Sequence, residues 1–485
     1  MTAVADNFDC SILDDETTKN KGRRYRQSVI DTMELQKFRD SLHDETINGR
    51  RSTFMCKPSR STIKIVKEIR DSRASLRSST LYDDFKGFLS EDCDDTIVEL
   101  SKLSIDDSVH EITVLEKFHD TSRIASARDY VLRRCNQTEP IVFDECYPDT
   151  ELKNCHKIGE GVYGEVFLWR ARDGQARVLK IIPIAGDTKV NGEPQKGFHE
   201  IISEIVIAME LSALRSPIAT IEKLLDEGKE IDTLDLHAVQ NATDIFNEVK
   251  AVRCVRGPYP ARLLDLWELF DECRGSDNDN PALLPVDQHY IVLELANAGQ
   301  DLESYQFNSA EQAHALFLQV ALALAVGEEA LQFEHRDLHW GNVLVAPSEQ
   351  AWATGVVRGR AVRVARRGVA ATLIDYSLSR LRLRSGAALF CDLARDEALF
   401  EAVGDRQFAV YRLMRDRLAG DWSAYDPHTN VLWLHYVAGK MLTALRYKRT
   451  NTKIHRHHIA KLRAIEGRIL DYGSAAQFVL TDREF

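Results

Sequence analysis

A carboxylate and an amide five residues apart carry the chemistry this chain could perform: Asp337 and Asn342, within Glu334-His335-Arg336-Asp337-Leu338-His339-Trp340-Gly341-Asn342. A carboxylate so placed can orient a hydroxyl and take its proton, while the amide can hold a divalent cation, a division of labour that suits phosphoryl transfer. Other parts of such a site lie around this string. Gly159-Glu160-Gly161-Val162-Tyr163-Gly164-Glu165-Val166 spaces its glycines so that backbone can close over triphosphate oxygens that any Cβ would push away. Val178-Leu179-Lys180-Ile181-Ile182 sets a lysine in an apolar run, a costly place for an ammonium without an anionic partner. Leu373-Ile374-Asp375 ends another apolar run in a carboxylate suited to a second metal contact.

These residues need particular elements to position them. The glycine spacing alone also fits a dinucleotide-binding turn, but that turn opens a helix. Here Glu165-Val166-Phe167-Leu168-Trp169 continues as a strand, so Ile158 to Val166 reads as a hairpin over a nucleotide. Residues 198–211 have helical periodicity and offer Glu200, Glu204 and Glu210; Glu204 lies mid-helix among the apolar positions and is the expected partner of Lys180. Ser309-Ala310-Glu311-Gln312 forms a capping box ahead of the apolar stretch 313–326, which reads as the core helix preceding the catalytic string. That stretch is interrupted by His314 and Gln319 and is short for a bilayer, so no membrane association is expected. Between Asn342 and Asp375 an Arg/Val-alternating stretch, 356–370, predicts an extra hairpin.

Taken together, the glycine loop, the strand lysine, the helix glutamate, His-Arg-Asp-Leu-x-x-x-Asn and the later aspartate follow the order of protein kinase parts. The fold class expected is therefore α+β: a bilobal protein kinase-like fold with a small β-rich lobe at about 140–294 and a larger helical lobe at about 299–485. Two departures stand out. Asp375-Tyr376-Ser377 replaces Asp-Phe-Gly, and no Ala-Pro-Glu follows, since the one proline after Asp375 is Pro427. The activation segment is atypical, and the sequence from Ser377 to Ala394 lacks the usual phosphorylatable loop.

The remaining composition fits a large domain with an extension. In 485 residues, 44% are hydrophobic, enough for one two-lobed core. Nine cysteines are scattered without a C-x-x-C pair, which argues against a zinc site and for a reducing compartment. No N-terminal apolar stretch suggests a signal peptide. Residues 1–139 are polar and aperiodic and read as largely disordered, with a basic segment at 50–77, an acidic one at 83–116 and a short amphipathic pattern at 61–70. A second polar insert occupies 226–247 of the small lobe. The net charge of −12 is odd for a sequence-specific DNA binder and suits an enzyme with a basic peptide substrate.

Asp375-Tyr376-Ser377, the long string from Phe333 to Asn342, Asn191-Gly192 with Gln195-Lys196, Gly257-Pro258-Tyr259-Pro260 and Asn430-Val431-Leu432-Trp433-Leu434-His435-Tyr436 together resemble the haspin family of atypical histone H3 kinases, from about residue 140 onward. The resemblance implies transfer of phosphate from ATP, with Mg2+, to the threonine third from the N-terminus of histone H3 in mitosis. The implied partners are the H3 tail and chromatin, and the implied location is the nucleus and its chromosomes. It implies Asp337 as base, with Lys180 and Glu204 positioning phosphates and Asn342 and Asp375 holding metal. Ile158, Gly159, Glu160, Gly161, Val162, Tyr163, Gly164 and Val166 would cover the nucleotide. Its adenine would hang from the connection after Glu294, at Ala296 to Ala298, with Asp301 near the ribose. By family position Glu160, Asp301, His339, Asp396 and Glu397 would line the peptide groove. A non-catalytic kinase-fold scaffold and a small-molecule kinase are the competing readings; the complete set of site residues weighs against the first, and the full glycine loop with the family strings against the second.

Overall fold

Runs of β-branched and aromatic residues with a period of two build the small lobe. The computed structural model describes residues 126–229, 239–384, 386–402 and 404–485. Segments 50–77, 61–70 and 83–116 lie outside the described residues, as do positions 230–238 of the polar insert. Six strands form one sheet, in the spatial order Ile141–Val142, Val249–Arg256, His289–Ala296, Ala176–Ile184, Gly164–Arg170, Cys155–Gly161. Successive side chains point to opposite faces. Leu179 and Ile181 therefore enter one core with Phe167, Tyr290 and Leu263, beneath the helix Ala261–Arg274, while Ile182 and Ile184 enter the other, against the helix Phe198–Ala213. Lys180 shares the register of Ile182, which turns its ammonium toward that second helix.

The Phe198–Ala213 helix begins where Glu200 reaches back to the Gly197 N–H at 2.7 Å, and it buries Ile201, Ile202, Ile205, Val206 and Ile207. Its outer side is covered by the helix Ala127–Arg134, whose Tyr130, Val131 and Leu132 are 1% exposed. Burying each such large side chain contributes about 1.5–3 kcal/mol. Within 1–139, expected to be largely disordered, Ser126 thus caps a helix that completes the small-lobe core. Eight residues in a polar context were too short a stretch for periodicity to reveal.

The large lobe is organised on Ala310–Leu331, with Ser309 accepting from the Glu311 N–H. Gln312 reaches the Asn308 N–H at 2.9 Å and not the cap residue itself. This helix has 22 residues, longer than the apolar stretch in the sequence and long and apolar enough to cross a membrane, yet nearly all of it is buried inside the fold. Helices His428–Thr443, Lys453–Ile469 and Ala475–Thr481 pack around it. The extra hairpin exists with earlier bounds: Trp352–Val357 pairs with Arg360–Ala365 through Arg358-Gly359, both at positive φ, as a two-residue hairpin turn requires. It also pairs with Ala242–Thr243, and Ile245 and Phe246 are buried. The later part of the polar insert is thus packed core joining the hairpin. After Asp375 the chain forms a small hairpin, Arg380–Arg382 with Ala388–Phe390, then the short helix Glu397–Glu401.

Candidate active site

The glycine-rich strands pair as far as Gly161 and Gly164, leaving Val162 and Tyr163 at the tip, with a register shift between Lys157 and Gly159 that puts Ile158 at a bulge. Gly164 is required for close approach: a Cβ there would sit 2.1 Å from the Ile181 carbonyl oxygen. Val166 pairs across the sheet with Lys180. The Lys180 Nζ lies 2.8 Å from Glu204 Oε1 and 3.3 Å from Asp375 Oδ1, so one ammonium joins the strand, the helix and the metal-site candidate. Lys196, within the family string after the strand lysine, adds a second cation 3.2 Å from Glu204. Burial alone would lower the Lys180 pKa, but Asp375 and Glu204 outweigh it and hold the ammonium above its usual value. Glu204 and Asp375 are held below the usual carboxylate range, burial being overcome by Lys180 in each case.

Asp375 sits at φ 60°, a left-handed conformation that costs a non-glycine residue about 1–2 kcal/mol. What holds it there is local. Ser377 donates its hydroxyl to Asp375 Oδ1 at 2.8 Å, and Tyr376 donates to the Leu373 carbonyl at 2.6 Å while accepting from the Asn247 N–H at 3.2 Å. The Tyr376 ring packs edge-on against Phe246, Phe333 and His335. The tyrosine that replaces phenylalanine therefore adds two hydrogen bonds that fix the turn, and the serine that replaces glycine orients the carboxylate.

The catalytic string is anchored at both ends. Arg336 is fully buried at φ 63°, and its guanidinium donates to the Glu334 carboxylate and to the carbonyls of Trp422 and Ala424 at 2.6 and 2.9 Å. Asn430 accepts from the His335 N–H at 3.0 Å and donates to the Phe333 carbonyl at 2.9 Å. Burial lowers the His335 pKa to about 4, so the ring is neutral and donates from Nε2 to the Ile374 carbonyl at 3.1 Å. Ile374 N–H in turn donates to the Asn342 carbonyl at 3.1 Å, which sets Asn342 beside Asp375.

Asn342 donates from Nδ2 to the Asp337 carbonyl at 2.8 Å and to its Oδ2 at 3.4 Å. Its Oδ1 is buried with no hydrogen-bond partner, a costly state for an amide oxygen and one that a cation would relieve. Among the described residues no group of three or more His, Cys, Asp or Glu could hold a metal, so a cation here would take Asp375, Asn342 and phosphate or water oxygens, as Mg2+ sites commonly do. Asp337 Oδ1 accepts from Tyr411 on the helix Gln407–Leu418, and His339 Nε2 lies 4.0 Å away. Burial pushes the Asp337 carboxyl above its usual pKa, with His339 and Tyr411 opposing. His339 Nδ1 accepts from the Gly341 N–H at 3.0 Å, which turns its other nitrogen toward Asp337.

Several groove and hinge candidates are engaged inside the protein. Glu160 is not a free acid at the loop tip. It lies in the strand and its carboxylate meets Lys157 Nζ at 2.6 Å, Ser276 Oγ at 2.8 Å and the Asp277 N–H at 2.8 Å. Asp301 is 2% exposed and accepts from the Ser304 N–H at 2.7 Å. Asp396 caps the Glu397–Glu401 helix through the Leu399 N–H at 3.2 Å; the Glu397 side chain lies outside the described residues. The Glu294 side chain points into the small lobe, to Tyr147 at 2.9 Å and Arg177 at 2.8 Å. The connection after it is half-buried at Ala296 and Ala298, with the Ala296 N–H already donating to the Glu248 carbonyl at 2.9 Å. Tyr411 and Glu303 escaped the sequence reading. Glu303 has its pKa raised by partial burial and by Asp301, with Lys440 and His339 opposing, which locates it beside the catalytic string. A tyrosine among the apolar positions Phe408, Val410 and Met414 was the one available signal for Tyr411.

A family model described as Haspin like kinase domain matches residues 50–471, which extends the similarity upstream of residue 140. The serine/threonine-protein kinase haspin homolog of Drosophila melanogaster is 39% identical over 352 residues, 71% of this chain and 58% of that protein. Serine/threonine-protein kinase haspin of Mus musculus is 37% identical over 391 residues, 79% of this chain and 48% of that protein. The Arabidopsis thaliana haspin homolog is 34% identical over 351 residues, covering 72% and 54%. The chain spans about half the length of these curated relatives. A match of the family model over most of the sequence, together with a fold that brings Lys180, Glu204, Asp337, Asn342 and Asp375 into one site, makes this chain a member of the haspin-like kinase domain family.

Proposed function

We propose that the chain is a serine/threonine protein kinase that moves the γ-phosphoryl group of ATP, with Mg2+, to the threonine third from the N-terminus of histone H3, acting on chromatin in the nucleus during mitosis. The observation that carries this reading is the convergence on Asn342: its Nδ2 orients Asp337, its Oδ1 is free of protein partners, and its backbone is tied to the residue before Asp375. Asp337 orients the substrate hydroxyl and accepts its proton, helped by burial that lifts its basicity. Lys180, fixed by Glu204, presents a cation to the phosphates. Mg2+ on Asp375 and Asn342 would neutralise charge developing on the transferred group. Asp396 and Glu303 are the acids best suited to a basic peptide, because Glu160 is spent on Lys157 and the 276–277 turn.

The testing experiment offers radiolabelled ATP and Mg2+ with an H3 tail peptide, unrelated basic peptides and small aminoalcohols. Transfer to the H3 peptide at its third residue is expected. Transfer to an aminoalcohol alone would mark a small-molecule kinase, and no transfer at all a scaffold; either result would overturn the proposal.

A further inference from the structure

The glycine-rich hairpin is gripped from outside by a segment that the kinase parts do not require. After the helix Ala261–Arg274 the chain turns back over the hairpin before the short 3-10 turn Pro281–Leu283. Asn278 Nδ2 reaches Glu165 Oε1 at 2.9 Å, the Gly161 carbonyl at 3.1 Å and the Gly164 carbonyl at 3.4 Å. An amide carries two protons, so the first two bonds are full and the third is shared. From the other side Asn191 Nδ2 donates to the Val162 carbonyl at 2.7 Å and to Asn278 Oδ1 at 2.8 Å. Asn191 and Asp279 exchange reciprocal bonds at 2.7 and 2.8 Å. Ser276 and Asp277 hold Glu160, and Lys157 lies 2.7 Å from Glu165 with its ammonium 3.9 Å from the centre of the Phe270 ring.

Polar bonds, more than packing, make this contact. A cavity of about 60 Å³ separates the Asp279–Leu284 stretch from Ile181 and Pro183, and the Tyr259 hydroxyl beside it is buried without a partner. Three hairpin carbonyls, those of Gly161, Val162 and Gly164, are thus fixed by two asparagine amides that contact no other part of the site described above. Asn191 also explains its own place in the sequence string: it sits at φ 56°, a conformation asparagine tolerates better than most residues.

We propose that Asn278 and Asn191 are positioning residues for nucleotide: they hold the hairpin ordered in the free protein, so that binding ATP does not have to order it. This rests on the reading of the hairpin as the loop that covers the triphosphate. Ordering a mobile loop on binding weakens apparent affinity, and a preordered loop avoids that cost. The bonds lie outside the transferred group, so their loss acts on nucleotide binding and leaves the chemical step nearly intact.

The test uses the full chain with Asn278→Ala, Asn278→Asp and Asn191→Gly, the last chosen because glycine keeps the positive φ while removing the amide. With about one kcal-scale hydrogen bond lost per contact, Asn278→Ala is expected to raise the KM for ATP about tenfold, with kcat and the KM for peptide changed less than about threefold. Asn278→Asp, which cannot donate and faces Glu165, should be at least as impaired, and Asn278→Gln should recover part of the loss. Hydrogen exchange at 159–165 in the nucleotide-free protein should rise at least about tenfold in Asn278→Ala and Asn191→Gly, with the melting temperature nearly unchanged. The double variant should lose less than the sum of the singles, because the two amides bond each other. Faster exchange with an unchanged KM for ATP would reduce the contact to packing and overturn the proposal, as would unchanged exchange. A wild-type chain that neither transfers from ATP nor is thermally stabilised by it would overturn the underlying reading of the hairpin, a distinct result.

Discussion

Tyr411→Phe removes one hydroxyl, which donates to the proposed base, and leaves the aromatic ring in its contact with Trp433. Asp337 is buried, and without Tyr411 its nearest donors are Asn342 Nδ2 at 3.4 Å and His339 at 4.0 Å. A hydrogen bond to a charged group is worth about 1.5–3 kcal/mol. Because the bond stabilises the ionised form, its loss raises the carboxyl pKa further, and the acid limb of kcat/KM should move to higher pH. The sign for stability follows the same linkage. The Asp337 pKa is already raised in the fold, so its contribution is greatest at low pH and falls as pH rises through the folded value. Tyr411→Phe should therefore unfold at a lower temperature than wild type at pH 8, with the gap narrowing toward pH 4. Initial rates with H3 peptide from pH 5 to 9, paired with thermal melts in the same buffers, measure both. A rate that drops equally at every pH, with the acid limb unmoved, would refute the claim that Tyr411 acts on the ionisation of Asp337 and leave it a purely geometric support.

Phosphatase treatment of the purified chain should leave activity unchanged, because Arg336, the residue that would receive an activating phosphate in a loop-regulated kinase, is buried on Glu334 and two carbonyls; silencing by phosphatase would contradict this. Burial pushes the Glu328 carboxyl up to about 8 from 4.5, against bonds from Asn430, Ala476 and Ala475, so its stabilising contribution is complete below about pH 4.5 and is lost as pH rises toward 8. Glu328→Gln should flatten the melting temperature between pH 5 and 8, and parallel profiles for the two proteins would count against the assignment. Asp396→Lys should raise the KM for an H3 tail peptide about tenfold while the KM for ATP changes little; an unchanged peptide KM would make Asp396 a helix cap only.

The parts legible in the sequence were those in which one residue type is costly unless it has a purpose. A lysine in the strand Ala176–Ile184 and a glutamate amid isoleucines on the next helix announced each other, and they meet at 2.8 Å. Asp375, the carboxylate just beyond the strand Val369–Leu373, was legible for the same reason. What was missed depends on distant chain returning to the site. Tyr411 approaches Asp337 across 74 positions and Asn278 approaches Gly161 across 117, and neither has a local signature beyond its own polarity. The helix Ala127–Arg134 and the strand Ala242–Thr243 gain their order from the surfaces they cover, which no short window can display. Glu160 was named by family position alone, and beyond its neighbour Lys157 its bonds to Ser276 and Asp277 depend on chain that returns from far along the sequence.

The central claim is that Asp337 is the base of a phosphoryl transfer to an H3 threonine, and Asp337→Asn tests it most directly. The variant keeps the side-chain shape and removes a buried charge, so its melting temperature should match or exceed that of wild type, and ATP with Mg2+ should still stabilise it. Incorporation of radiolabelled phosphate into the H3 tail peptide should fall by about a hundredfold to ten-thousandfold. Undiminished phosphorylation by a folded, nucleotide-binding Asp337→Asn protein would contradict the account.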